Sequence, residues 1–443
     1  MDESLEFEAE VVSMETIKPS TPTPPELRSY TLGWADQLAR VYHLPVAFFY
    51  RGSPQTPAAE RIRAMKSSLP RALSRFYPLA GELVLNTHVR CCDAGARFLE
   101  ARADADLADF LRGLRGLHHV EKLLPCARSC SAAGAEGAPL LSVQATAFRC
   151  GGLALGVCAC HKILDGRSLF LFLQSWASAA PDPVFDGAAL FPPSEDVVPE
   201  EDQARPPGAP PLVRKGFVIA GPEVAALRSG LPSSTTRVQA VCALLWRCAL
   251  RARPPPARAS VASLLVDTRP RMAPPAPNAS FGNRCFSAGA AAAKATVELV
   301  LARSGAARGV LEEELGRSAK MMNADHTRKL RAPDGHSSAY ALIVDGVIRS
   351  RGFEGFDHYF FSSWLSLPLY EVDFGWGRPA WVGTTARVRN LSVLMPRSPE
   401  VDPRGVEVWV TMEESEMAEF EKDEELLQFA APFRVVTPPP GRA

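Results

Sequence analysis

His161 and Asp165 stand four residues apart in the run Ala159-Cys-His-Lys-Ile-Leu-Asp-Gly166. The histidine closes an apolar, β-prone stretch, Leu153 to Cys160, and an amphipathic stretch from Arg167 to Trp176 follows. With an ordinary pKa of about 6.5, a histidine held there can take a proton near neutral pH. It suits the work of a general base on an alcohol or amine. Asp165 invites comparison with the carboxylate that orients a catalytic histidine. At i+4 the two share a face only in a helix. A strand end followed by Gly166 argues for a turn, so Asp165 reads as support for the loop. A second run, Asp373-Phe-Gly-Trp-Gly377, lies about two hundred residues on. Gly375 and Gly377 permit tight turns, and Asp373 anchors the loop. Trp376 carries an indole N–H that could donate to a developing oxyanion, and Thr384 could offer a hydroxyl for the same purpose.

Cysteine chemistry competes for the same segment. Ten cysteines are scattered along the chain, with no C-x-x-C pair and no cysteine–histidine cluster of zinc spacing. In a strand Cys160 and His161 point to opposite faces, so Cys160 reads as a small core residue. A serine hydrolase lacks its G-x-S-x-G elbow here. No metal is expected.

These residues need elements to hold them. The chain has 443 residues, 47% hydrophobic and 22% charged, which suits two or three globular domains. Lys+Arg and Asp+Glu are both 49, so nucleic acid and anionic membranes are not expected partners. No apolar run approaches the roughly 20 residues of a membrane span. The acidic start lacks a signal-peptide layout, and the expected location is the cytoplasm. Helical spacing of Ile62, Met65, Leu69 and Leu73 predicts a helix over 55–76. Two antiparallel strands are predicted over 139–160, turning at Cys150-Gly151-Gly152. Residues 181–213, rich in proline and acid, read as an extended linker between a first unit, 1–180, and a second, 214–443. In the second unit a helix is predicted after Ser233-Ser-Thr235, ending at Arg253. A strand is expected at 259–267, a loop or soft helix start at 286–295, and helix over 296–331.

Several blocks share one resemblance. Ile17-Lys-Pro-Ser20, Phe76-Tyr-Pro-Leu-Ala-Gly81, His161 to Asp165, Trp246-Arg247, Asp267-Thr-Arg269, Gly282-Asn-Arg284 and Asp373 to Gly377 resemble, in type and order, the BAHD acyltransferases. That plant family moves acyl groups from coenzyme A. Departures are Glu82, where arginine is usual, and Leu32-Gly-Trp-Ala-Asp36, where the family has Ser-x-Leu-Asp. The resemblance implies an α/β protein of two chloramphenicol acetyltransferase-like domains, packed face to face with a solvent channel between them. A segment around 360–385 would cross to the first domain. It implies acyl-CoA as co-substrate with no permanently bound cofactor, a small alcohol or amine as acceptor, and a monomer. His161 would be the base, and Asp165 would pair with Arg284. Ser263 matches a segment lining the cofactor tunnel, while Arg251 and Arg253, at a helix end, are candidates for the coenzyme phosphates. Trp34, His43 and Phe286 are candidates for the acceptor pocket. The likeness is strongest to the branch that acetylates specialised metabolites, vinorine synthase-like in type. Hydroxycinnamoyl or malonyl donors, or a catalytically silent binding paralogue, are the alternatives.

Overall fold

Continuous apolar runs become central strands, because a strand covered on both faces has no polar side to show. The computed structural model describes residues 7–126, 137–178, 181–197, 209–303, 308–332, 334–337 and 356–437. Strands β1 (Ala9–Ile17), β3 (His43–Tyr50), β6 (Ala96–Ala103), β7 (Leu141–Phe148), β8 (Leu153–Cys160) and β13 (Trp381–Gly383) form one sheet, in the order β1-β6-β7-β8-β3-β13. Every residue of β3 and β8 is buried. The β7–β8 hairpin turns at Gly151, whose φ of 77° favours glycine. Helices Ala58–Arg75 and Gly166–Ala177 pack together beside this sheet. A small sheet of β2 (Ser29–Thr31), β5 (His88–Arg90) and β4 (Glu82–Val84) flanks it.

The second sheet runs β11 (Cys285–Ala292), β10 (Ala259–Asp267), β12 (Phe356–Ser363), β14 (Leu391–Pro396), β15 (Val406–Glu413), β9 (Leu212–Ile219) and β16 (Ala431–Pro432). Helix Arg237–Arg251 lies against it and is buried from Gln239 to Leu250. Thr236, one residue past the predicted cap, starts that helix through a reciprocal bond pair with Gln239. The alanine-rich stretch 286–295 is mostly β11 rather than loop or helix. Pairing with β10 along eight residues, with Phe286, Ala288, Ala290 and Ala292 buried, overrides alanine's helical preference. The helical span over 296–331 is three short helices, Lys294–Leu301, Val310–Met321 and Ala324–Leu330.

Between β12 and β14 of the second sheet, the chain crosses to place β13 beside β3 of the first. Trp381 on this strand donates its indole N–H to Glu407 on β15, 3.0 Å away. Part of the expected linker, 198–208, lies outside the described residues, as does Cys130. The described remainder is anchored at a few points: Phe191 is fully buried, and Phe185 meets Tyr30, Tyr77 and Phe281. Cys126 and Cys158, for which the sequence suggested no pairing, are joined as a disulfide.

Glu407 has a measurable consequence. Burial raises its pKa from 4.5 to about 7, against the bond from Trp381 and the charge of Arg397. The unfolded chain ionises this group from pH 4.5 upward, whereas the folded one resists until about pH 7. Folding stability therefore falls as pH rises through that window. At about 1.4 kcal/mol per pH unit the loss is roughly 3 kcal/mol. Glu407→Gln keeps an acceptor for Trp381 and should raise the melting temperature at pH 8. Thermal unfolding between pH 4.5 and 8 should show that gain shrinking towards the acid end; a gain independent of pH would refute it.

Candidate active site

The end of β8 is set by hydrogen bonding. The amide of His161 donates to the carbonyl of Tyr42 at 2.7 Å, and that of Ile163 folds back to Cys160 at 3.2 Å. The chain leaves the sheet there and turns into helix Gly166–Ala177. Asp165 is that helix's N-cap, accepting from the amide of Ser168 at 2.9 Å.

Asp165 serves the loop in a further way. Its oxygens accept from both terminal nitrogens of the Arg269 guanidinium, at 2.9 and 3.1 Å, and from the backbone amide of Arg284 at 3.0 Å. The ion-pair partner is therefore Arg269 and not Arg284. The guanidinium of Arg284 turns instead to the carbonyls of Asn283 and Phe281, with Asp186 at 3.5 Å and Asp36 at 3.8 Å. Arg269 has no exposed surface and also binds Ser280, Ser168, Gly282 and Asp267. Burial alone would raise the carboxyl of Asp165, but the facing Arg269 holds it well below the usual carboxylate range.

Asn283 was not singled out by sequence, although it sits inside Gly282-Asn-Arg284. Its side-chain amide donates to the carbonyl of His161 at 2.9 Å and to that of Lys162 at 3.3 Å. Asp36 fixes Asn283 in turn, accepting from its amide at 2.7 Å and its side chain at 3.1 Å. A polar residue beside a known loop is the only sequence signal for this link, and many such residues are solvated.

His161 lines a cavity of about 790 Å³ with walls from both halves of the chain. The first half contributes Ala35, Leu38, Tyr42, His161 and Gly166, and the second contributes Ser263, Cys285, Phe286, Trp364 and Val393, among others. The ring of Tyr42 lies 4.9 Å from that of His161, centre to centre. Nδ1 of His161 is enclosed by protein. Burial pulls the imidazole's pKa below 6.5, against its own backbone, the charge of Asp165 and Asn283. The ring is therefore neutral at pH 7, ready to accept a proton.

Other residues lie elsewhere. Trp376 stacks on Phe374 and meets Tyr50 edge-on, off the cavity wall. Its indole N–H cannot reach an oxyanion there. The loop around it closes on itself, with Asp373 accepting from the amides of Gly375 and Gly377 at 2.8 and 2.9 Å. Thr384 is buried and donates its hydroxyl to Pro45 at 2.7 Å, so that proton is committed. Arg251 is neutralised by Asp423 and Glu425, and Arg253 by Glu416 and Asp357. Neither faces the cavity, whereas Arg271 does. Arg271 bonds the carbonyls of Ala319 and Met322, and no carboxylate among the described residues pairs with it. Trp34 is 1% exposed and wedged against Phe191 and Phe286, leaving Ala35 on the wall. His43 alternates away from the cavity between Tyr42 and Leu44 and bonds Pro139. Ser263 and Phe286 do line it, and Ser263 is bonded to His358 at 2.7 Å. Cys160 is fully buried off the wall, its thiol pushed up to about 11 by that burial.

The sequence profile of the Transferase family, the BAHD enzymes, matches residues 7–217 and 220–427. The chain belongs to this family. As a BAHD enzyme it is an acyl-CoA-dependent acyltransferase. It is 32% identical to akuammiline synthase 1 of Alstonia scholaris over 444 residues, covering 95% of this chain and 97% of that protein. Stemmadenine O-acetyltransferase of Catharanthus roseus is 32% identical over 443 residues, covering 94% and 96%. The crystal structure of vinorine synthase superposes with a TM-score of 0.79 at 31% identity, covering 96% of this chain and 99% of that one. This BAHD chain also shares its fold with TRI101 of F. graminearum, at a TM-score of 0.67 and 16% identity. Among the described residues no helix is long and apolar enough to cross a membrane.

Proposed function

We propose that this enzyme transfers an acetyl group from acetyl-CoA to a hydroxyl or amine of an apolar plant specialised metabolite, with His161 as general base. The observation that carries the reading is a buried, neutral imidazole on the wall of a cavity that both halves enclose. Nε2 takes the acceptor's proton as its oxygen or nitrogen attacks the thioester carbonyl. The tetrahedral intermediate collapses, the carbon–sulfur bond breaks, and the imidazolium returns the proton to the leaving thiolate. The acyl group moves directly, since the buried thiol of Cys160 is unsuited to hold it. Asp165 does no chemistry here; it holds the loop. Arg271 supplies the positive charge that a coenzyme phosphate needs.

Acetyl is the favoured donor because several relatives, such as stemmadenine O-acetyltransferase, are named for that transfer. The cavity's many apolar residues, Leu38, Leu44, Phe286, Phe360 and Val393 among them, suit a multi-ring acceptor. The test is incubation of the purified enzyme with separate acyl-CoAs and a panel of alkaloid and terpenoid alcohols and amines. Thiol release matched by a product 42 Da heavier than one acceptor is the expected result (the mass that acetyl adds in replacing a hydrogen, roughly, on any acceptor). Products from malonyl-CoA or hydroxycinnamoyl-CoA alone would overturn the donor. Thiol release that no acceptor increases, with no acylated product from any donor, would overturn the transferase reading.

A further inference from the structure

Lys162 follows the proposed base, and its side chain has no exposed surface. A buried ammonium is costly unless its protons are bonded. Its Nζ donates to the carbonyl of Gln37 at 2.5 Å and to that of Ala39 at 2.8 Å. These carbonyls end the helix Trp34–Leu38, where the last turn has unpaired acceptors and a cation is favoured. Ala35, Leu38, Ala39 and Arg40 of this segment line the cavity. A second tether joins the same two segments. Asp36 holds Asn283, and Asn283 holds the carbonyl of His161. The two tethers close a ring through His161, Lys162, the Gln37–Ala39 carbonyls, Asp36 and Asn283.

We propose that Lys162 is a positioning residue that, through the carbonyls of Gln37 and Ala39, sets the distance between His161 and the cavity wall formed by Ala35, Leu38, Ala39 and Arg40. The proposal rests on His161 being the base. A ligand seated against that wall meets the imidazole at a spacing that Lys162 fixes together with the Asp36–Asn283 tether. Removing the ammonium leaves two buried carbonyls without their donor and frees the wall to shift. A shift of about 1 Å can cost roughly a hundredfold in rate.

The charged surroundings make the clamp sensitive to alkali. Asp36 faces Lys162 from the helix, Arg284 lies beyond Asp36, Cys160 ends β8 two residues before it, and His161 and Asp165 share its own loop. Burial brings the amine from 10.5 down to about 8, with Asp36 and Cys160 opposing. His161 is already neutral at that pH. The charge on the clamp is thus lost in a range where the base itself no longer titrates.

The test uses the full chain and acetyl-CoA as the probe, following thiol release to water from pH 6 to 10, corrected for uncatalysed hydrolysis. Lys162→Met is expected to keep its circular dichroism and its KM for acetyl-CoA, and to lose about 10- to 100-fold in kcat. Lys162→Arg should recover much of that loss and move the alkaline fall in kcat upward from about pH 8. Wild-type kcat and an unchanged alkaline limb in Lys162→Met, with His161→Ala inactive, would overturn the clamp alone. If His161→Ala keeps the wild-type rate, the base reading fails first and the clamp with it. Should Lys162→Met not fold, Lys162→Arg decides. An alkaline limb moved upward with the fold intact supports the clamp, and a profile identical to the wild type overturns it.

Discussion

His161→Ala is expected to lower kcat for acyl transfer by about 10²–10⁴, the usual worth of a positioned base. KM for the acyl-CoA should change little, because the imidazole is needed in the transition state and adds little to ground-state binding. The pH profile of the wild type provides an independent check. Burial lowers the pKa of His161 below 6.5, so kcat/KM should stay level through pH 7 and fall only in more acid solution. The acid limb should have a midpoint below 6.5. The same group bears on stability with a definite sign. Above 6.5 it is neutral whether folded or not. As pH falls through that value the unfolded chain binds the proton first, and the fold loses stability. A variant retaining more than a tenth of wild-type kcat, with its acid limb intact, would remove His161 from the chemistry.

Asp165→Ala should abolish activity by a different route. It strips Arg269, which has no exposed surface, of the carboxylate that meets both its terminal nitrogens, leaving Asp267 on one of them, and strips helix Gly166–Ala177 of its cap. Breaking a buried pair from one side costs about 3–5 kcal/mol, and loss of a cap adds about 1 kcal/mol. The expected signature is a clear drop in melting temperature alongside lost turnover, whereas His161→Ala should melt near the wild type. The double variant Asp165→Ala/Arg269→Met should recover part of the stability, because the buried guanidinium left with only Asp267 is gone. The wild-type pair also predicts acid sensitivity. Its carboxyl is depressed in the fold, so its contribution is present above the unfolded value of 3.8 and is lost as pH falls below it. An Asp165→Ala protein with wild-type melting but no turnover would mean that the carboxylate takes part in the reaction.

The contrast between these residues shows how much of the site was legible in the sequence. His161, its boundary position and the turn after it follow from local pattern: an apolar run ends, a capping aspartate and a glycine follow, and a helix begins. Such signals act over a few residues and survive without knowledge of the fold. Hydrophobic period and turn residues mark many of the strands and helices, whereas the two-domain α/β architecture came with the family resemblance. The stretch 286–295 was misread because alanine prefers helix in isolation, and only the neighbouring strand Ala259–Asp267 makes it a strand.

Roles that depend on which side chains face each other were not legible. Arg251 and Arg253 look like free cations in sequence until Asp423 and Glu416, more than 160 residues away, neutralise them. Trp376 offers an indole N–H, yet its ring lies against Phe374 and Tyr50. Arg269 and Arg284 are alike in type and only fifteen residues apart, and tertiary packing alone decides that Asp165 meets the guanidinium of the first and the amide of the second. Asn283, Lys162 and Asp36 lie inside quoted blocks, yet nothing in the sequence announces the link between them, because a hydrogen bond between distant segments leaves no periodicity in either. Sequence pointed to His161, to the turn that follows it and to the family. Tertiary structure decided the partners of every charge around it, because electrostatic and hydrogen-bond energies depend on separations that only the folded chain sets.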